Sequence, residues 1–265
     1  MSLTIATWNI NSVRLRIDLV RRLLEEVSPD VLCLQETKSP DEHFPREAIA
    51  SLGYTHMLVH GMKSYNGVAI LSRRPFKAQA TRGWCAREDC RHGHVTLDGG
   101  IELHNLYIPA GGDVPDPEAN PKFAHKLQFL DEVTGWFTAE RNASRKMILV
   151  GDLNIAPLET DVWSHKQLLD VVSHTPIEVE KLGRLRGSAR FLDAVRHFVP
   201  PSERLYTWWS YRAQDWSASD RGRRLDHIWV TPPLSGSLTG AKVHREIRGW
   251  NKASDHVPVV VTLTG

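Results

Sequence analysis

The sequence predicts an α/β protein of two packed β-sheets with helices on the outside. Short apolar runs of strand length recur along all 265 residues, and only some are joined by helical patterns; others are bounded by turns. Four polar clusters each close an apolar run: Asn9-Ile10-Asn11, Gln35-Glu36-Thr37-Lys38, Gly151-Asp152-Leu153-Asn154 and Ser254-Asp255-His256. Ligand sites in α/β folds form where strands reach the rim of a sheet, so these clusters are candidates for one shared site.

Leu3 to Trp8 alternates as a strand. Val13, Ile17, Val20, Leu24 and Val27 then recur at helical spacing, with Arg and Glu between them, in a helix ending near Ser28-Pro29. Val31 to Leu34 is a buried strand. Phe44 to Leu52 reads as a short helix closed by Gly53, followed by strands at Thr55 to Val59 and Gly67 to Leu71. Ile101 to Tyr107 is another strand, and Phe123 to Glu140 a helix with Phe123, Leu127, Leu130, Val133, Trp136 and Phe137 on one face. Met147 to Val150 leads as a strand into Gly151-Asp152. Later strands are expected at Leu225 to Val230, Ala241 to Ile247 and Val257 to Leu263, after a loop-rich basic segment from Pro176 to Arg224.

With 41% hydrophobic residues and no linker-like stretch, residues 1–265 read as one domain. No signal peptide precedes the first strand and no apolar run approaches the ~20 residues of a membrane span, so a cytoplasmic protein without a membrane partner is expected. Cys33, Cys85 and Cys90 do not make a disulfide framework. Cys33 reads as a core residue, and Cys85 and Cys90, with His92 and His94 nearby, as reduced loop thiols rather than a zinc site. No glycine-rich phosphate loop is present, which argues against a nucleotide cofactor. Net charge is only +2, yet Lys181 to Arg224 holds ten Lys/Arg against four acids, interleaved with Tyr206, Trp208, Trp209, Tyr211 and Trp216. Cations neutralise phosphates and flat rings stack on bases, so this stretch, including Arg221, Arg223 and Arg224, suits a polynucleotide; the alternative is a solvated basic face.

The clusters supply carboxylates, amides and an imidazole, an inventory for hydrolysing a phosphate ester with a hard divalent cation. Mg2+ needs one or two fixed carboxylates beside a substrate phosphate, and Mn2+ takes the same ligands. Glu36, directly after a buried strand, is the leading metal ligand, with Asn11 placed to help. Asp152 and Asn154 are two apart, so in extended chain they share a face: one can deprotonate a water while the other orients it. Asp255 and His256 point to opposite sides of a strand, so His256 needs another orienting carboxylate, and Asp226 is available. Singly, each cluster also reads as an ordinary turn or cap.

Leu32-Cys33-Leu34-Gln35-Glu36-Thr37-Lys38, Gly151-Asp152-Leu153-Asn154-Ile155, Arg224-Leu225-Asp226 and Ser254-Asp255-His256-Val257-Pro258 resemble the signatures of exonuclease III-type apurinic/apyrimidinic endonucleases, within the endonuclease/exonuclease/phosphatase superfamily. The likeness covers nearly the whole chain; the pattern Lys122-Phe123 to Lys126 to Phe129 and the Trp-rich block from Tyr206 to Tyr211 resemble the DNA-repair branch. It implies a four-layered α/β sandwich of two mixed sheets flanked by helices. It implies Glu36 as metal ligand with Asn11 and Asp255 beside it, Asn9 behind them, and Asp152 and Asn154 on the attacking water. His256, oriented by Asp226, and Tyr107 would contact the scissile phosphate. Lys122, Lys126 and the arginines would bind DNA, and Trp208 and Leu225 would line a pocket for a baseless sugar. Some relatives carry an acid at Asn11 and an aromatic at Arg223.

The expected activity is therefore a metal-dependent phosphodiesterase on double-stranded DNA, acting as a monomer, that cuts 5′ to abasic sites and processes blocked 3′ ends. The runner-up is a phosphatase of the same fold acting on a small phosphorylated molecule or lipid headgroup. A DNA-binding module without catalysis would show a gap in the catalytic set, and none is seen.

Overall fold

In the computed structural model, which describes residues 2–264, the chain runs β1 (Ser2–Asn9), α1 (Ile17–Glu26), β2 (Val31–Gln35), α2 (Arg46–Ala50), β3 (His56–His60) and β4 (Val68–Ser72). It continues through β5 (Ala78–Thr81), β6 (His92–Thr96), β7 (Glu102–Tyr107), α3 (Pro121–Glu140), β8 (Met147–Asp152), α4 (His165–Leu168) and α5 (Pro176–Ser188). The last part holds β9 (Leu192–Asp193), β10 (Trp208–Trp209), α6 (Trp216–Ser219), β11 (Gly222–Arg223), β12 (Asp226–Val230), α7 (Pro232–Ser235), β13 (Leu238–Val243) and β14 (Val259–Thr264).

Two six-stranded mixed sheets result, ordered β13-β14-β1-β2-β4-β3 and β5-β6-β7-β8-β12-β9. Their central strands are apolar on both faces because both faces are covered. On β1 and β2, Leu3, Ile5, Val31 and Cys33 face the other sheet and meet Val95, Leu103, Ile148, Val150 and Ile228. The alternate residues Ala6, Trp8, Leu32 and Leu34 face outward onto Val20, Leu23 and Leu24 of α1 and Ile49 of α2. On the far side Leu106 and Leu149 pack on Phe129, Leu130, Val133 and Phe137 of α3 and Leu182 and Leu185 of α5. The order helix, sheet, sheet, helix is the four-layered sandwich. No helix among the described residues is long and apolar enough to cross a membrane.

The structure corrects several local readings. Pro176–Ser188 is a helix, not loop: Thr175 and Glu178 form a capping box and Pro176 occupies the first turn. Arg and Lys spaced through it masked the Leu182 and Leu185 face that packs on α3. The short strands β5, β6 and β9 to β11 lie outside the expected elements because runs of two to five residues carry little periodicity. The strand expected at 241–247 is Leu238–Val243, and Arg245–Gly249 turns instead into a 3-10 helix.

Candidate active site

The four clusters converge at one end of the sandwich because β1, β2 and β8 end there and the antiparallel β12 and β14 begin there. Asn9 pairs with Gln35 across β1 and β2, and Asp152 with Asp226 across β8 and β12. Beneath them Gln35 and Asn105 tie the sheets together: Gln35 Nε2 donates to Thr7 Oγ1 (2.9 Å) and Asn105 Oδ1 (2.7 Å), and Asn105 Nδ2 donates to the carbonyls of Leu34 and Ala69. A buried polar group needs partners, so this network fixes the separation of the two strand rims.

Several site residues hold left-handed backbone, which side chains other than Gly, Asn and Asp rarely adopt: Asn11 (φ 47), Glu36 (φ 48), Lys38 (φ 49) and Asn154 (φ 53). Such strain concentrates at functional sites, where surrounding contacts over-determine the conformation. Gly151 allows the close approach of β7, since a Cβ there would fall 1.9 Å from the Leu106 carbonyl oxygen, and its φ is +142.

One amide joins the two sheets' carboxylates. Asn9 Nδ2 donates to Glu36 Oε1 and to Asp152 Oδ2, both at 2.9 Å. Tyr107 OH also donates to Glu36 Oε1 (2.9 Å). Asn154 donates to Asp152 twice, through its backbone N–H (2.9 Å) and Nδ2 (3.1 Å). His256 Nδ1 lies 2.8 Å from Asp226 Oδ2, and its Nε2 is 3.7 Å from Asp152 Oδ2. Asp226 also accepts from Thr207 Oγ1 (2.6 Å), while Asn11 Nδ2 and Trp208 Nε1 donate to the two oxygens of Asp255 at 3.1 and 3.0 Å.

Electrostatics set the carboxylates apart. Burial pushes the Asp152 carboxyl up to about 7; the His256 imidazole opposes that rise and Asp226 adds to it. Glu36 is also buried, yet Lys38 and Asn9 more than offset burial and hold its pKa below the usual range. Asp255 is lowered too, with His256, Trp208 and Asn11 overcoming burial. Two carboxylates thus stay ionised while a third is poised near neutrality, where a general base works best. Burial, then Glu36 and Asp152, raise Tyr107 well above its ordinary value, so it remains a phenol that donates.

Burial alone would lower His256, but Asp226 and Asp152 raise it to about 10. The stability this group contributes is complete below its ordinary 6.5 and is lost as pH rises through about 10. In metal-free buffer, the Tm of the wild type should fall more between pH 6.5 and 10 than that of His256→Gln; equal slopes would remove the imidazolium from the site.

Two of the three residues expected to hold a metal bring oxygens to one point, while both Asp255 oxygens accept from Asn11 and Trp208. Glu36 Oε2 (2.7 Å) and Asn11 Oδ1 (2.6 Å) converge on the Lys38 ammonium, which marks a place where positive charge is stabilised. Glu36, Asn11 and Asp255 offer oxygen donors only, suited to a hard cation such as Mg2+. Lys38 and Thr207 were missed as site residues: Lys38 stood in the Gln-Glu-Thr-Lys cluster, but nothing in sequence linked Thr207 to Asp226.

The DNA-contact expectations are corrected at two positions. Lys126 is fully buried, paired with Glu178 and donating to the carbonyls of Ala110 (3.2 Å) and Asn154 (2.9 Å). Arg224 is 1% exposed and bound to Asp161 and Asp193. Neither side chain can reach a phosphate. The basic segment is partly neutralised as well, since Lys181 pairs with Asp131 and Arg196 with Asp161. Lys122, Arg221 and Arg223 remain accessible to different degrees. A cleft of about 540 Å³ opens over the site, lined by Glu36, Asn154, Asp255 and His256 together with Trp163, Trp208, Leu225 and Arg223.

The chain matches the endonuclease/exonuclease/phosphatase family over residues 6–256. It belongs to that family. Exodeoxyribonuclease III of Haemophilus influenzae is 30% identical over 96% of this chain and 97% of its own length. An AP endonuclease from Archaeoglobus fulgidus superposes with a TM-score of 0.91 at 31% identity, covering 99% of this chain and all of that one. A 3′ phosphatase from Neisseria, solved with a product DNA hairpin, gives 0.91 at 30% identity over 99% of this chain and all of its own. Within the endonuclease/exonuclease/phosphatase family the chain falls in the exonuclease III-type branch, and it is a hydrolase of phosphodiester bonds.

Proposed function

We propose that the protein is a divalent-metal-dependent DNA repair nuclease that cuts duplex DNA 5′ to abasic sites and removes 3′ blocking groups or nucleotides. The convergence of Asp152, Asn154, His256 and Glu36 beside an aromatic-walled cleft carries this reading. The relatives named as exodeoxyribonuclease, AP endonuclease and 3′ phosphatase support it.

Asp152 takes the proton of the attacking water, and Asn154 with Asn9 fixes the carboxylate's direction. His256, charged and aligned by Asp226, donates toward a phosphate oxygen, as does the Tyr107 phenol. Held by Glu36, Asn11 and Asp255, Mg2+ or Mn2+ would offset charge that builds on the phosphate and leaving oxygen. Preorganised donors and a base near pH 7 are the two contributions the chain itself makes.

Trp208, Leu225, Trp163 and Val171 form an apolar wall against which a deoxyribose without its base can lie. Arg223 lies across it, its guanidinium 5.3 Å over Trp208 and donating to Val172 O (2.9 Å) and Ser173 Oγ (2.7 Å). Arg223→Ala should widen the pocket and raise the ratio of abasic cleavage to 3′ trimming. Arg221, exposed and 4.7 Å over Trp163, is placed for a phosphate. Arg221→Ala should weaken duplex binding on all sequences and reduce the slope of log K against log salt by about 1.

The deciding experiment uses end-labelled duplexes carrying an abasic analogue, an intact base or a 3′-phosphate, with Mg2+ or with chelator. One metal-dependent cut at the analogue supports the full reading. Trimming at 3′ ends alone would keep the chemistry and assign the lost endonuclease to Arg223. Absence of cleavage on every duplex would overturn the DNA reading in favour of a small phosphorylated substrate.

A further inference from the structure

Three histidines with no part in the proposed reaction meet on the outer face of the second sheet. His92 and His94 are two apart on β6 and so share that face, and His104 on β7 is the cross-strand partner of His94. Trp136 and Phe137 of α3 pack edge-on over His104. One nitrogen from each imidazole lies within 4.8 Å of nitrogens from the other two.

The spacing is that of ligands around one ion. Three imidazoles bound at about 2.0–2.1 Å to a tetrahedral centre have ring centres roughly 5 Å apart and ligand nitrogens about 3.4 Å apart. Here the ring centroids are 5.7 Å (His92–His94), 5.3 Å (His92–His104) and 5.1 Å (His94–His104) apart, and His92 Nε2 is 3.1 Å from His104 Nδ1.

The hydrogen bonding points the same way. Nδ1 of His92, Nδ1 of His94 and Nε2 of His104 are buried without a hydrogen-bond partner, although buried polar atoms are nearly always paired. Glu102 Oε1 lies 3.2 Å from His104 Nε2 without hydrogen-bond geometry, so its charge favours a proton on that nitrogen, and His104 Nδ1 faces His92 Nε2. A carboxylate behind the far nitrogen is what orients histidines that bind metals. Burial lowers the pKa of all three rings, His94 to about 4, so neutral donors are present at physiological pH. Glu102 pairs with Arg141 (2.7 Å) and Arg145 (3.2 Å), and Arg82 stacks over Trp84 and Trp136 beside the cluster.

We propose that His92, His94 and His104 form a binding site for a zinc-class transition-metal ion, distinct from the active site, that pins the β6–β7 hairpin beneath α3. Binding replaces the His92 Nε2–His104 Nδ1 hydrogen bond with two metal–nitrogen bonds and moves the His92 proton to Nδ1. An all-imidazole donor set selects Zn2+, Co2+ or Ni2+ and rejects Mg2+, whose preferred donors are oxygens. His94, 19% exposed, is the ring nearest solvent and gives the ion its entry and its fourth position.

The test titrates Co2+ into the metal-free full chain with excess Mg2+ present to occupy oxygen sites. The expected result is one equivalent of Co2+ with the intense visible bands of a tetrahedral ion, displaced by Zn2+ and lost in His94→Ala and His104→Gln. Zn2+ at a hundred times its Kd should raise the wild-type Tm by about 5–10 °C. Mg2+-dependent DNA cleavage by His94→Ala should match wild type, which separates this site from the active one. No tetrahedral spectrum in the wild type, or the same spectrum in His94→Ala, would overturn the site; the first of these is read on the wild type and holds even where a variant folds poorly.

Discussion

Replacing Asp152 with Asn lowers kcat on an abasic-site duplex by about 10²–10⁴-fold, the usual share of a general base. The same change should leave Tm equal to or above wild type in metal-free buffer. Asp152 is buried and its carboxyl is pushed up to about 7, so at pH 8 its ionised form is held against the preference of its surroundings. An amide occupies the same space and carries no buried charge; its oxygen still accepts from Asn9 Nδ2 and Asn154 Nδ2, and the one acceptor lost is that of the Asn154 N–H. Loss of rate with retained stability is the signature of a site strained for function. Because Asp152 and His256 act on one substrate, Asp152→Asn combined with His256→Ala should cost far less than the product of the single losses. A residual rate within tenfold of wild type in Asp152→Asn would move the base elsewhere.

Lys126→Met has the opposite profile. It strands Glu178, which is wholly buried and whose carboxylate otherwise accepts from Lys126, the Ser173 and Thr175 N–H groups and Thr175 Oγ1. Breaking one side of a buried ion pair costs about 3–5 kcal/mol. At this chain length that lowers Tm by roughly 6–20 °C. Adding Glu178→Gln should recover much of the loss, since the acceptor oxygen remains and the unpaired charge does not. The slope of DNA affinity against salt should not change, because Lys126 cannot touch a phosphate. A reduced slope with normal Tm would restore it to the DNA surface. The rate should still fall, since Lys126 Nζ holds the Asn154 carbonyl beside the base.

These two residues show where sequence reasoning succeeds and where it stops. Asp152 and Asn154 are legible as a polar pair two apart at a strand's end, although the structure joins them by a turn and not by extended chain: β8 stops at Asp152, Asn154 is left-handed and its N–H donates to Asp152 Oδ1. Glu36 is legible because a carboxylate straight after a buried strand needs a reason to be there. Lys126 and Arg224 mislead because sequence gives charge but not burial. Their partners Glu178, Asp161 and Asp193 lie 31 to 63 residues away, too far for any local pattern to pair them.

The sequence by itself determined the layered α/β class, the central strands, the long amphipathic helix of 121–140 and the polar clusters at the strand ends. These follow from periodicity and from residue chemistry, both of which are local. Only the tertiary structure decided which charges are buried, which carboxylate faces His256, that one Asn9 amide joins Glu36 to Asp152, and that His92, His94 and His104 share a face. Each of those depends on strand register across the sheets and on the distance between them, quantities fixed by the packing of the whole core.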